Sequence, residues 1–230
     1  MTSGDPRIDS GLLQLADRRQ RLLRAGLKQS GWKVGFGSAS GMALLGLDAP
    51  IIGILGEFEP VSAGAELDVA GWVGPVVECE IAAIVGRDIP PGVTAADVGE
   101  FVEAWAPAFE FADIDIPPSD VTTVLAGNIF HRGYRVSEQA QACSLADIAS
   151  RRATVAVDDV VSYVDDLTAL TGGLASVLVR AATLAPQAGR LIERGDVVLL
   201  GSIVPPIAVS TGDTVTYALD GFSAMHVRVA

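Results

Sequence analysis

The sequence predicts an α+β fold rich in strands: a curled, mostly antiparallel sheet with helices at its periphery. Three observations predict it. From Glu59 onward, segments rich in β-branched residues recur between turn signals, among them "AELDVAG", "PVVECEIAAIVG", "RATVAVDDVVSYV" and "DVVLLGSIVPPIAVSTGDTVTYAL". Helical periodicity is confined to a few short stretches. The last segment, "MHVRVA", alternates apolar and polar residues as a half-buried strand does.

Each element has its own reason. From Ile8 to about Leu27, the residues Ile8, Leu12, Leu15, Leu22 and Leu23 recur at helical spacing. Arg18, Arg19, Arg21 and Arg24 fall between them, which predicts an amphipathic helix with a solvated basic face. A short strand follows at Trp32–Val34, then a glycine-punctuated loop and a brief helix near Met42–Leu47. Three further helices are expected: from about Ala95 to Ala106, near Leu145–Ser150, and from about Thr171 to Ala185, where Pro186 stops it. A turn-rich stretch at 58–66 marks a soft boundary. It divides an N-terminal helix and small α/β cap (1–62) from a β-rich catalytic domain (63–230) within one compact unit.

Composition narrows the function classes. The chain has 230 residues, half of them hydrophobic, enough for one large core. A net charge of −12 argues against nucleic acid as a partner, which calls for a basic face. No apolar run reaches roughly 18 residues, so no membrane span is expected. "MTSGDPRIDSGLL" lacks the basic and apolar regions of a signal peptide. The two cysteines, Cys79 and Cys143, make neither a disulfide framework nor a thiolate metal site. A cytoplasmic protein is the expectation. The mean hydropathy of +0.41 hints at buried subunit interfaces. The glycines at 31–41 do not form G-x-G-x-x-G between strand and helix, and no G-K-[ST] is present, so a nucleotide loop is rejected.

The chemistry concentrates in "GPVVECEIAAIVGRD". In a strand, Glu78 and Glu80 point to the same face. Two carboxylates side by side in an apolar strand repel each other, and burial of either alone is costly. A divalent cation would compensate them, and oxygen ligands suit a hard ion such as Mg²⁺, Mn²⁺ or Ca²⁺. Glu110, in the apolar "WAPAFEFADIDIP", is the third ligand of choice, with Asp113 and Asp115 as alternatives. Three carboxylates leave about half of an octahedral shell open, which suits catalysis better than structure. The competing reading places Glu78 or Glu80 on an exposed edge, paired with an arginine. Lys33, in a glycine-flanked apolar strand, requires an anion.

With these residues placed, the sequence resembles the 2-keto-4-pentenoate hydratase and 4-oxalocrotonate decarboxylase branch of the fumarylacetoacetate hydrolase superfamily. "GWKVGF", "LGLDAPIIGIL", "PVVECEIAAIVGRDIP", "WAPAFEFADIDI" and "GDVVLLGSIVPPIAVSTGD" resemble its motifs in order along most of the chain. The resemblance implies that superfamily's mixed β-sandwich roll, a homo-oligomer of at least two subunits, and Mg²⁺ or Mn²⁺ on Glu78, Glu80 and Glu110. It implies a lyase, hydratase-like, acting on a small 2-oxo or 2-hydroxy-dienoic acid through a metal-stabilised enolate. A decarboxylase, a C–C hydrolase and a non-catalytic ligand-binding relative are the alternatives. Lys33 is implied to contact substrate or transfer a proton, and Ser202 matches a small residue that either binds substrate or allows close packing. The chain departs from the family in three places. The acid/base segment D-N-[AT]-S reads "AGNIFHRGYRV", which offers His131 as a substitute acid/base. Leu200 stands where a threonine or serine precedes G-[SA]-L. A G-H-P segment before the late helix is replaced by "LTALTGG". A hydrolase ranks below the other enzymes, because superfamily hydrolases place a His–Glu pair on a lid and the second histidine here, His226, lies in the last strand.

Overall fold

The computed structural model describes residues 3–56 and 64–230. Its elements run α1 (Pro6–Arg24), β1 (Gln29–Gly35), α2 (Ala39–Leu45), β2 (Ile51–Gly56), β3 (Pro75–Val85), β4 (Val102–Asp113), α3 (Val121–Ala126), β5 (His131–Val136), α4 (Leu145–Ala149), β6 (Ala153–Val157), β7 (Val160–Val164), α5 (Leu174–Leu184), β8 (Val197–Ser202), β9 (Ile207–Ala208), β10 (Thr214–Leu219) and β11 (Met225–Arg228). The larger sheet has the order β2-β1-β8-β3-β4-β5, with β9 pairing to β3; the smaller has the order β11-β10-β6-β7. Every pairing is antiparallel except β1 with β8 among the described strands. The expected 62/63 boundary lies outside the described residues. On either side of it, β1 and β2 join the same sheet as β3 and β8.

The period-2 alternation of the central strands separates two environments. On the convex face, Cys79, Ile81, Phe109 and Phe111 pack into one large core together with Val155, Val215 and Tyr217 of the smaller sheet. Phe109 and Tyr217 meet with ring centroids 6.1 Å apart. On the concave face, Leu55, Ala82, Ala108, Tyr134 and Leu199 form a second, small cluster. The sheet therefore rolls, bringing β2 near β5. Small residues at 82 and 108 leave room inside the roll for the glutamates beside them on the same face.

Helix α1 begins as its sequence dictates. Asp5 caps it, accepting from the Arg7 amide, and Pro6 occupies the first turn. Its buried residues Ile8, Leu12 and Leu15 are the predicted stripe. Arg19 departs from the expectation of a solvated basic face: it is buried, and its guanidinium is held by the Gln29 side chain. Met42–Leu47 was expected as helix and is realised slightly earlier as α2, capped by Ser38.

The expected helix at 95–106 is replaced by a single 3-10 turn, Val98–Phe101, and then by β4. The alanines there favour helix locally, but β4 is flanked by β3 and β5 and buried on both faces, so sheet pairing overrides propensity. Helix α3, capped by Asp120, was not foreseen. Helix α5 starts at Leu174 rather than Thr171, because Gly172 and Gly173 have φ of +76° and +121° and lie outside the helical region.

Helices α1 and α3 cross at Gly11, where an added Cβ would stand 2.6 Å from Leu125 Cδ1 and 2.7 Å from its Cβ. For Gly11→Ala, the helix-propensity gain of about 1 kcal/mol opposes an overpacking cost of about 1–3 kcal/mol. Overpacking wins, and denaturant unfolding should show a net loss of about 1 kcal/mol. A variant more stable than the parent would mean that the two helices separate freely.

Candidate metal centre

Strand register builds the centre. Glu78 of β3 lies directly opposite Glu110 of β4, and Glu80 lies opposite Ser202 of β8. Opposed residues in a sheet share a face. One carboxylate oxygen from each of Glu78, Glu80 and Glu110 falls within 4.8 Å of the others. Glu80 and Glu110 are buried, and Glu78 is half-buried in a cavity wall. The edge-exposed alternative for the two strand glutamates does not occur.

Lys33 reaches the cluster from β1. Its Nζ donates to Glu110 Oε1 and, at 3.1 Å, to the carbonyl of Ile129. Gly53, paired with Lys33 across β1 and β2, makes this approach possible, since a Cβ there would stand 3.0 Å from Lys33 Cγ and 2.8 Å from Asn128 Oδ1. The Ile129 carbonyl is aimed by a left-handed turn: Asn128, Ile129 and Phe130 have φ of +62°, +53° and +62°. Three such non-glycine residues in succession carry strain that the surroundings must hold. Asn128 supplies part of that hold, its side chain accepting from Ile54 N (2.7 Å) and donating to Ile54 O (3.0 Å).

His131 follows the turn and lies at 2.8 Å, through Nδ1, from the same Glu110 Oε1 that Lys33 engages. It is buried and does not line the cavity. Glu80 Oε2 accepts from the Gly201 amide at 2.8 Å, while Glu80 Oε1 is buried with no partner. Asp113 and Asp115 are not part of the cluster. Asp113 accepts from the amides of Val73 and Gly74, and both aspartates bind Arg132. Ser202 lines the cavity and donates to the Cys79 carbonyl at 3.3 Å.

The cavity encloses about 420 Å³, with Lys33, Glu78 and Glu110 at its polar end and Phe36, Leu44 and Phe130 among its apolar walls. A buried carboxylate oxygen with no hydrogen-bond donor, beside two more carboxylates, fits a hard divalent cation. The acids are electrostatically divided. Burial, then the charge of Glu110, pushes Glu78 up to about 7. Burial, then Glu110 and Glu78, holds Glu80 well above the carboxylate range. Burial would also raise Glu110, but Lys33 and His131 outweigh it and hold that carboxyl low.

The three glutamates and Lys33, singled out by residue type and strand position, come together here. The Gly201 amide and the Ile129 carbonyl are backbone groups with no side-chain signature in a sequence. Asn128, the clamp on the strained turn, carries a weak signal, since asparagine takes the left-handed conformation more readily than most residues.

The chain is thus a rolled mixed sheet that carries a carboxylate-lined cavity. The profile of the fumarylacetoacetate (FAA) hydrolase C-terminal family matches residues 53–230, and the chain belongs to that family. It is 32% identical over 215 residues to a 4-oxalocrotonate decarboxylase of a Pseudomonas species, covering 90% of this chain and 83% of the relative. It is 30% identical over 217 residues to a "TodF product hydratase" of Pseudomonas putida F1, covering 92% and 80%. A solved 4-oxalocrotonate decarboxylase from Pseudomonas putida G7, complexed with magnesium and adipate, shares the fold with a TM-score of 0.84 at 24% identity, covering 93% of this chain and 82% of that one.

The raised carboxyls predict a pH dependence. A group raised from 4.5 to about 7 keeps its proton in the folded chain where the unfolded chain releases it. That stability is fully present below the unfolded value and is lost as pH rises through the folded one. The metal-free protein should therefore lose melting temperature from about pH 5 to about pH 8, and saturating Mn²⁺ should flatten the decline. Thermal unfolding across this range checks it; a metal-free midpoint independent of pH would contradict the assignment.

Proposed function

We propose that the protein is a divalent-metal-dependent lyase, hydratase-like, acting on a small 2-oxo or 2-hydroxy-dienoic acid. The observation that carries the reading is the trio of carboxylates converging at one end of a cavity, one with an orphaned oxygen. Glu78, Glu80 and Glu110 would hold Mg²⁺ or Mn²⁺, in line with the magnesium present in the solved decarboxylase. When bound, the ion would supply Lewis acidity against the negative charge that grows on the substrate's C2 oxygen.

The chain's own residues have distinct parts. Lys33 Nζ would attract the substrate anion or give a proton to it from the cavity wall. Ser202 would contribute a hydroxyl to the same pocket. His131 was a candidate acid/base on sequence grounds. Its burial behind Glu110 favours a positioning role, fixing that carboxylate through Nδ1. The apolar walls would accept the carbon chain and exclude water from the reacting atoms.

A decarboxylase is the second reading, favoured by the 32% identity to a 4-oxalocrotonate decarboxylase. A C–C hydrolase and a non-catalytic binder follow it. The mean hydropathy and the exposed Val160, Val161 and Tyr163 of β7 support a homo-oligomer of at least two subunits. No helix among the described residues is long and apolar enough to cross a membrane, and a cytoplasmic location is part of the same proposal.

The test supplies Mg²⁺ with 2-hydroxypenta-2,4-dienoate or with 4-oxalocrotonate and follows each by absorbance. Turnover of the first but not the second supports the hydratase, and the reverse supports the decarboxylase. Glu80→Ala should lower kcat/KM by at least about 10²-fold and weaken Mn²⁺ binding in calorimetry by about 10-fold or more. Full activity in that variant would refute metal-dependent turnover.

A further inference from the structure

The cavity is larger than a short dienoate requires. At about 420 Å³ it falls in the range, roughly 300–1,000 Å³, that encloses drug-sized ligands. Its charge is confined to one end. Lys33, Glu78 and Glu110 are the titratable side chains among the described residues of its wall.

Three segments leave that end, and each becomes apolar. On β4, Glu110, Ala112 and Ile114 succeed one another along the wall. Ile114 lies one residue beyond the strand, yet its amide donates to the Gly74 carbonyl at 2.9 Å and so continues the ladder with β3. At about 3.3 Å per strand residue, about 13 Å separates Ile114 from Glu110. At the end of β8, Gly201 and Ser202 give way to Val204, Pro205 and Pro206. From Lys33 of β1 the wall runs on to Phe36. The far wall stays apolar even where it meets water: Leu44 is 61% exposed and Ile114 37%. Such groups at a cavity mouth become a contact surface once an apolar chain lies against them.

A second negative charge would find no counterpart there. Two arginines approach the far wall through residues beside it, and both are engaged. Arg132 is held by Asp113 and Asp115, which flank Ile114. Arg7 is held by Asp5 and by the carbonyls of Leu45 and Gly46, which follow Leu44. Arg180 donates to the Pro50 carbonyl and lies outside the wall. Ser38 and Ser40 bring neutral hydroxyls, 3.2 Å from each other, which do not offset a charge. A carboxylate desolvated against this wall would go unpaired. The net charge of −12 also disfavours a dianion at longer range.

We propose that the acid this cavity takes is a monoanion whose end away from the chelating head group is an uncharged hydrocarbon, alkyl or aryl, lying along β4 as far as Ile114. Dicarboxylic acids of similar length are discriminated against. The proposal rests on the chelation reading above and names the substrate class within it.

The test is calorimetry on the full Mn²⁺-loaded chain with three 2-oxo acids: pyruvate, which is little more than the head group, 2-oxooctanoate, which adds an alkyl tail, and 2-oxoadipate, which adds a second carboxylate. Each methylene buried strengthens binding by about fourfold. 2-Oxooctanoate is therefore expected to bind at least about tenfold more tightly than pyruvate, and 2-oxoadipate no more tightly than pyruvate. Ile114→Asn, a change at an exposed position, is expected to lower the ratio of 2-oxooctanoate to pyruvate affinity by about fivefold. Equal binding of 2-oxooctanoate and pyruvate overturns the proposal and leaves chelation standing. So does 2-oxoadipate binding as tightly as 2-oxooctanoate. An unchanged ratio in Ile114→Asn overturns the placement of the tail along β4. 2-Oxooctanoate that binds equally well without Mn²⁺, or a chain that takes up Mn²⁺ and none of the three acids, overturns the chelation reading and this proposal with it.

Discussion

Three carboxylates crowd one concave patch of a rolled sheet, and most of what surrounds them follows from making that tolerable. An isolated ionised carboxylate taken out of water costs several kcal/mol even after the surroundings relax. The chain meets this cost unevenly. Burial would raise Glu110, but Lys33 and His131 hold that carboxyl low, whereas burial and the charge of Glu110 push Glu78 and Glu80 up. The Lys33–Glu110 ion pair and the protons that the raised carboxyls retain both reduce the charge of the patch. A divalent cation can take over from the protons and leave the ion pair in place. The same uneven distribution leaves the patch fit to receive a cation.

The backbone makes the convergence unavoidable once its register is set. Side chains alternate along a strand, so a slip of one residue between β3 and β4 would send Glu110 to the opposite face from Glu78. The register is pinned by the convex side, where Phe109 and Phe111 lock against Cys79, Ile81 and the smaller sheet. Core packing on one face thus positions chemistry on the other. Gly53 plays a complementary part by leaving space in which a lysine stem and an asparagine amide can share one place.

The sequence was most readable where chemistry and periodicity coincide. Glu78 and Glu80 stood out because charge is rare in an apolar strand, and their spacing put them on one face. Lys33 stood out for the same reason. Much of the rest depends on partners distant in the chain, and local pattern does not encode those. The first residues of β4, at 102–106, looked helical through their alanines, because only the two neighbouring strands override that preference. His131 carried the right chemistry for proton transfer, but only the turn at Asn128–Phe130 shows that it faces Glu110 rather than the cavity. Thr171 looked like the start of a helix, and two following glycines removed it from one.

The side chain of Asn128 meets both backbone groups of Ile54 on the outer edge of β2, where a neighbouring strand would otherwise dock. Since β2 and β5 approach each other there, a single amide spans the seam of the roll in place of a ladder of peptide bonds. Amide hydrogen exchange at Ile54 is consequently governed by one rotamer rather than by cooperative sheet opening. The same plug denies that edge to an incoming strand from another molecule, which protects the roll against runaway strand addition along this side.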